Sequence, residues 1–390
     1  MAGQIVKRGD NKWLVRIYIG RGANNKRKYQ NKLIHGTKKD AQTYLNARLR
    51  EKDLGILAES ANLTLNDFLD RWLETAVKPR VSLRTADNYR FLLDKYIREP
   101  LGNIKLENLS TMEIQKTYAE MQSRGLTART VRHAHTTLKG ALSQAIKWNI
   151  LQRNVADFCE LPKVVRKEKR VFSPDEAKRF LLFAEQIPKG LILQFALLTG
   201  MRPEEYLGLQ WKDIDFERNT AQVRRALIRH KRKWYFETPK TAKSNRIVSL
   251  PEDLTEKLKA HKRKQNERRM KNGLHWENLD LVFCSRDGSP ICRRNLTYRY
   301  YRPIIENAGL TQIPLYHLRH THATLLLIAG VNPKIVSERL GHSSVVLTLD
   351  TYSHVLPSMQ ETAIEKLNEM LADKRPKNVI PITKKRRGTL

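Results

Sequence analysis

The spacing of apolar positions changes along the chain, and with it the predicted element. Trp13, Val15, Ile17 and Ile19 alternate with Leu14, Arg16 and Tyr18, the period of a strand. A Gly- and Asn-rich stretch at 20–25 reads as a turn, and 26–34 as a second strand. Thr37 then opens a helix with Asp40 in capping-box position, and Ala41, Tyr44, Leu45 and Leu49 form its apolar face. From 62 to 150 the period is helical. Leu65, Phe68, Leu69 and Trp72 mark a first helix; Tyr89, Leu92, Leu93 and Tyr96 a second, stopping at Pro100 and Gly102. Met112–Met121 form a third, ended by Gly125, and Thr127–Ile150 a fourth, with Leu138, Leu142, Ala145 and Ile146 on one face. Residues 151–171 read as a basic linker, with Pro162 followed by Lys163, Arg166, Lys167, Lys169 and Arg170 and little to bury.

Ser173-Pro174-Asp175-Glu176 restarts structure as an N-cap, a proline at the first helical position and a glutamate at the third. From there to about Ala372 the pattern is mostly helical. Val223–Ile228, Trp234–Thr238 and Arg246–Leu250 are the exception, predicted to form one small antiparallel sheet. The expected fold is therefore multidomain and mainly α: a small N-terminal sheet-plus-helix module (1–55), a helical bundle (62–150), the linker (151–171), a mixed, mostly helical domain (172–372) and a basic tail (373–390).

Composition sharpens this picture. Among 390 residues, 73 Lys+Arg stand against 40 Asp+Glu, a net charge of +33. Such a surplus repels itself in a compact chain and calls for a polyanionic partner, with DNA or RNA ahead of a membrane surface. The base is spread from Lys7 and Arg8 to Arg386 and Arg387, although a run such as 262–271 reads as a solvated helix face. No uncharged apolar run approaches the ~20 residues of a membrane span. The start lacks the apolar core of a signal peptide, and three cysteines without a CxxC read as reduced thiols, so a cytoplasmic location is expected.

Four segments look unlike ordinary core or surface. Thr199-Gly200-Met201-Arg202-Pro203-Glu204-Glu205 follows the apolar run Leu191–Leu198, so Arg202 is held near the interior with Glu205 able to orient it. Thr238-Pro239-Lys240-Thr241-Ala242-Lys243-Ser244 sits at the expected tip of the small sheet, where a lysine can reach into a groove. Leu315-Tyr316-His317-Leu318-Arg319-His320-Thr321-His322 places basic groups ahead of an apolar helix, Ala323–Ala329. Its histidine spacing fits no closed metal site and no carboxylate lies nearby, so an anion such as phosphate suits it better. The fourth segment runs from Leu340-Gly341-His342-Ser343-Ser344 to Asp350-Thr351-Tyr352-Ser353-His354. Read singly, the first, second and fourth have a bland account: a structural Arg–Glu pair, a hairpin lysine, a helix-face tyrosine.

Taken together and in order, TGMRPEE, PKTAKSNR, LRHTHAT, LGHSS and DTYSHV resemble the signatures of the tyrosine recombinases, specifically phage-type integrases. The resemblance spans the whole chain. It implies an arm-site-binding domain at 1–55, a core-binding domain at 62–150 and a catalytic domain at 172–372. By resemblance the catalytic residues are Arg202, Lys240, Arg319, His342 and Tyr352. The chain departs from the family at one position: where the family has His three residues before the second Arg, this chain has Tyr316, with His317 one residue late. A one-residue offset turns a helical side chain by roughly 100°, so Tyr316 rather than His317 is expected to serve there, as a donor to a phosphate oxygen.

The implied reaction needs no metal and no cofactor. Tyr352 attacks the scissile phosphate and keeps the 3′ end, Lys240 protonates the departing 5′ oxygen, and Arg202, Arg319 and His342 hold the non-bridging oxygens. The implied partners are double-stranded DNA at core and arm sites, a homotetramer on DNA in a bacterial cell, and possible DNA-bending and directionality proteins. Ala363, Leu367, Met370 and Leu371 form an apolar stripe suited either to a neighbouring protomer or to its own domain. Arg16, Lys28, Arg84, Arg129, Arg132 and Lys243 are further expected DNA contacts. Competing readings are a dimer-resolving recombinase, a non-catalytic DNA-binding regulator on the same fold, a topoisomerase with the same nucleophile and a metal-dependent nuclease. The module at 1–55 favours integration over resolution, and the absence of an acidic cluster disfavours the nuclease.

Overall fold

The structure, a computed structural model, describes residues 3–21, 27–53, 63–165, 169–238 and 245–352, together with Ile364, Leu367, Asn368, Met370 and Leu371; for 19–21, 28, 51–53, 351 and 352 only the backbone is described. The chain divides into two compact units, 1–166 and 167–390.

The first unit begins with three antiparallel strands, β1 (Gly3–Gly9), β2 (Lys12–Arg21) and β3 (Arg27–His35), in that order across the sheet. Only the second and third were expected. Helix α1 (Lys38–Asp53) closes one face, and Val15, Ile17, Ala41 and Leu45 make a core too small to be generous. The Thr37–Asp40 capping pair forms: the Thr37 backbone N–H donates to Asp40 Oδ2 at 2.7 Å. The bundle comprises α2 (Leu65–Trp72, continued by a π turn to Val77), α3 (Leu83–Tyr96), the short α4 (Arg98–Leu101), α5 (Thr111–Ser123) and α6 (Ala128–Lys147). Phe68, Leu69, Leu93, Tyr118, Leu138 and Leu142 lie fully inside. The helix expected to stop at Pro100 ends earlier, at Tyr96, and Pro100 lies inside α4. The linker also starts later than expected. Residues 155–158 form a 3₁₀ turn with Ala156 buried, and Asn154 Nδ2 donates to the Lys139 carbonyl at 3.0 Å, so this stretch belongs to the bundle.

In the second unit Ser173 and Glu176 make the expected capping box of α7 (Pro174–Glu185). The apolar α8 (Gly190–Thr199) runs into the short α9 (Pro203–Leu207). The expected single sheet is two. Strands β4 (Ile214–Asp215) and β5 (Thr220–Val223) join β8 (Arg246–Ser249), while β6 (Ala226–His230) and β7 (Lys233–Glu237) form a separate hairpin. Helices α10 (Glu252–Asn272), α11 (Arg293–Leu296), α12 (Arg302–Asn307), α13 (His317–Ile328), α14 (Pro333–Leu340) and α15 (Val345–Tyr352) complete it. The histidine-rich segment lies within α13 rather than before it. Its core centres on Phe180, Leu193, Phe195, Val248, Leu254, Phe283 and Ile304.

Candidate active site

Three of the expected catalytic residues meet on one short piece of backbone, the turn at 340–342. Arg319, in the first turn of α13, is only 2% exposed. Its Nη1 donates to the Gly200 carbonyl at 2.8 Å and its Nη2 to the Leu340 carbonyl at 2.7 Å. Arg202 caps α9, and its Nη2 donates to the Gly341 carbonyl at 3.1 Å. His342 comes next in the chain, its N–H donating to the Ser337 carbonyl at 3.0 Å. Residues 140 positions apart in sequence are thus indexed on consecutive peptide units.

Two glycines permit this approach. Gly200 ends α8 at φ 64°, and an added Cβ would lie 2.5 Å from His322 Cδ2. Gly341 ends α14 at φ 67°, with an added Cβ 2.9 Å from Arg246 Nη1. Both left-handed positions return the chain sharply while leaving the carbonyls of 200 and 341 free to accept from the guanidiniums.

Glu205 orients Arg202, as the i, i+3 spacing suggested. Its Oε1 accepts from Arg202 Nη1 at 2.7 Å and its Oε2 from the Arg202 backbone N–H at 2.9 Å. Burial alone would push this carboxyl's pKa up; the hydrogen bond and charge of Arg246, with the Arg202 charge, outweigh it and hold it below the ordinary value. Burial first, and the Arg202 charge next, lower the Arg319 pKa to about 10, which leaves it a cation at neutral pH. His342 is pushed down to about 4 by burial and by Arg319, Arg202 and Arg246, so at neutral pH it is an uncharged imidazole. Its Nδ1 lies 2.7 Å from the Thr348 hydroxyl, and Thr348 is fully buried on α15. That bond ties the cradle to the helix that ends at Tyr352, four residues and about one turn further on.

At the departure from the family pattern, His317 Nδ1 lies 2.8 Å from the Arg170 carbonyl and is engaged there. The Tyr316 ring packs edge-on against His320, 5.3 Å between centroids. His320 and His322, both less than a tenth exposed, are pushed down to about 3, chiefly by burial, with Lys169 and Arg339 respectively the next contributors. The sequence reading placed His320 in an anion-suited cluster and Lys169 in a basic linker without an individual role for either, and gave none to Thr348 or Arg246. Of these His320 and Arg246 sit inside quoted signature strings, LRHTHAT and PKTAKSNR.

Lys240, Lys243, the Lys28 side chain and the Tyr352 side chain lie outside the described residues, as does Ala363. Among the other expected DNA contacts, Arg84 and Arg129 are exposed on the first turns of α3 and α6. Arg16 is half-buried on β2, donating to Asn31 Oδ1 at 3.3 Å with its guanidinium over Tyr29. Arg132, expected to point outward, is half-buried and donates its Nε to the Pro162 carbonyl at 2.8 Å. No group of three or more metal-ligating side chains occurs among the described residues.

The buried histidines make the second unit acid-sensitive. A base whose folded pKa is depressed takes up its proton more readily in the unfolded chain, so stability is full above the unfolded pKa of about 6.5 and falls as pH drops below it. Between pH 6.5 and 5.5, His320 and His322 together should remove on the order of 2 kcal/mol, lowering the Tm of this unit by several degrees. Thermal unfolding at the two pH values checks this; an unchanged Tm would mean that these imidazoles are not held neutral.

What the cradle offers is two fixed guanidiniums and a neutral imidazole around an opening: Arg202 keeps 31% of its side chain exposed, against the enclosed Arg319. Comparison with known proteins agrees with that chemistry. Residues 170–359 match the model of the phage integrase family, and 64–122 match the N-terminal SAM-like domain of phage integrases. A tyrosine recombinase XerC-like protein of Caldanaerobacter subterraneus subsp. tengcongensis is 30% identical across 94% of this chain and 98% of its own length. The ICEBs1 integrase of Bacillus subtilis is 29% identical over 73% of this chain and 77% of its own. Among solved structures, the Tn1549 transposon integrase in complex with circular intermediate DNA superposes with a TM-score of 0.65 at 21% identity, covering 78% of this chain and 99% of that one. A lambda integrase dimer bound to a COC′ core site gives 0.55 at 20% identity, over 74% and 95%. Signatures, cradle and a relative matched nearly end to end converge: this chain belongs to the phage integrase family of tyrosine recombinases.

Proposed function

We propose that the chain integrates and excises a mobile element by cutting and rejoining DNA strands through a covalent link to Tyr352. The observation that carries this reading is the convergence of Arg202, Arg319 and His342 on residues 340–342, tied through Thr348 to the helix that bears Tyr352. The Tyr352 phenolic oxygen attacks the scissile phosphorus, a P–Oη bond forms, and the bond from phosphorus to the 5′ oxygen breaks. The phenolic proton leaves as the bond forms. The 5′ oxygen takes a proton from Lys240 and departs as a hydroxyl. Arg202 and Arg319 stabilise the charge that gathers on the non-bridging oxygens, and arginine suits this because its planar fork matches phosphate geometry. A neutral His342 donates one further hydrogen bond to a phosphate oxygen, and Tyr316 another. The 5′ hydroxyl of a partner strand reverses the chemistry and seals the new joint.

Residues 62–150 and the catalytic domain clamp the core site, while 1–55 hold an arm site with the sheet in a groove. Four protomers assemble on paired sites in a bacterial cytoplasm, with DNA-bending and directionality proteins setting the outcome. The exposure of Leu367, Met370 and Leu371 (49%, 80% and 71%) supports a C-terminal surface that docks on a neighbour. Among the described residues no helix is long and apolar enough to cross a membrane.

The test is a nicked duplex carrying the junction of the element's own ends, incubated with the chain in excess EDTA. A covalent protein–DNA band on a denaturing gel is the expected result. Binding without adduct or cleavage would leave a DNA-binding regulator, and cleavage without an adduct, seen only when EDTA is omitted and a divalent metal supplied, would return the metal-dependent nuclease.

A further inference from the structure

Arg246 opens β8, at the downstream end of the signature string that carries Lys240, PKTAKSNR. In the fold it is 8% exposed and reaches two separate elements. Its Nη2 donates to Glu205 Oε2 at 2.8 Å, its Nη1 to Glu205 Oε1 at 3.2 Å, and its Nε to the Arg339 carbonyl at 2.6 Å. Gly341 comes close enough that an added Cβ would meet its guanidinium. The Glu205 carboxylate is therefore saturated: each oxygen accepts once from Arg202 and once from Arg246. One guanidinium grips the lever that aims Arg202 and also the last turn of the helix that delivers His342.

We infer that Arg246 is a positioning residue for strand cleavage, aligning Arg202 through Glu205 and the 340–342 turn through the Arg339 carbonyl, without itself touching DNA. This rests on the cleavage function proposed above. A bidentate fork is needed because two carboxylate oxygens and a carbonyl lie in different directions from it; a lysine ammonium, a point donor on a flexible stem, cannot span them. The charged groups facing Glu205 are Arg202 from the α9 cap, Arg246 from β8 and Arg319 from α13. Arg246 is the strongest influence holding the carboxyl ionised against its burial. Without it, desolvation raises the Glu205 pKa, and protonation of Glu205 releases Arg202 at a higher pH than before.

The experiment measures single-turnover cleavage of the nicked duplex, at saturating DNA, from pH 5 to 9, for the wild type, R246M, R246K, E205Q and the double variant E205Q/R246M. Expected for R246M is a rate lowered on the order of 100-fold, DNA affinity within about threefold, and an acid limb moved at least one pH unit towards neutrality. R246K should fall between wild type and R246M. The double variant, with no carboxyl to titrate, should lose the displaced limb. A wild-type rate in R246M overturns the inference. So does a rate lowered equally at every pH with the limb unmoved, which would mark Arg246 as a merely structural arginine. If R246M does not fold by circular dichroism, the limb in R246K decides in the same way. Absence of any adduct in the wild type would sink the cleavage reading instead, so the two failures are distinguishable.

Discussion

Tyr352→Phe should bind core-site DNA with affinity within about threefold of the wild type and form no covalent adduct, a fall of at least about 1000-fold. The change removes one oxygen and keeps the ring, so whatever packing the side chain makes is retained. It also leaves untouched the bond between His342 and Thr348 that fixes the preceding turn of α15 to the cradle. Gel shift for affinity and the nicked duplex for chemistry separate the two effects. A residual adduct would oblige another nucleophile. Loss of binding would mean that residue 352 serves the DNA interface rather than the reaction.

How far the sequence spoke depended on how local each cause was. The Arg202–Glu205 pair, the capping boxes at Thr37 and Ser173 and the helical bundle are decided within a few residues, and each was legible. The separation of the catalytic-unit strands into two sheets was not. The chain leaves the first sheet at Arg224-Arg225, between β5 and β6, where Arg225 pairs with the buried Asp213, a partner twelve positions back that strand periodicity does not reveal. Strand β1 carries too few apolar residues to signal itself, and pairing with β2 decides it. The role of Arg246 was invisible because its partners lie 41 and 93 positions away. At the departure from the family pattern both neighbours, Tyr316 and His317, pack edge-on against His320, 5.3 and 5.2 Å between centroids, and His317 Nδ1 also meets the Arg170 carbonyl.

The contrast between the two cradle arginines leads to a second large effect. Arg202 is held by the buried Glu205 and stays partly open, whereas Arg319 is enclosed and is the hydrogen-bond donor to two backbone carbonyls, at the end of α8 and the end of α14. Both arginines should matter to the rate, since removing one preorganised donor to a developing oxyanion lowers it on the order of 100- to 1000-fold. Only one should matter greatly to the fold. Arg319→Ala leaves two buried carbonyls unpaired at about 1–3 kcal/mol each and opens a cavity, a Tm lower by roughly 5–15 °C in the catalytic unit. Arg202→Ala leaves Glu205 still paired with Arg246, and its Tm should fall by no more than a few degrees. Arg319→Lys keeps the charge but satisfies at most one of the two carbonyls well, so its rate and its Tm should both stay closer to Arg319→Ala than to the wild type. Equal Tm values for Arg202→Ala and Arg319→Ala would mean that the two carbonyl contacts contribute nothing to holding α8 and α14 together, and that the site's rigidity comes from elsewhere.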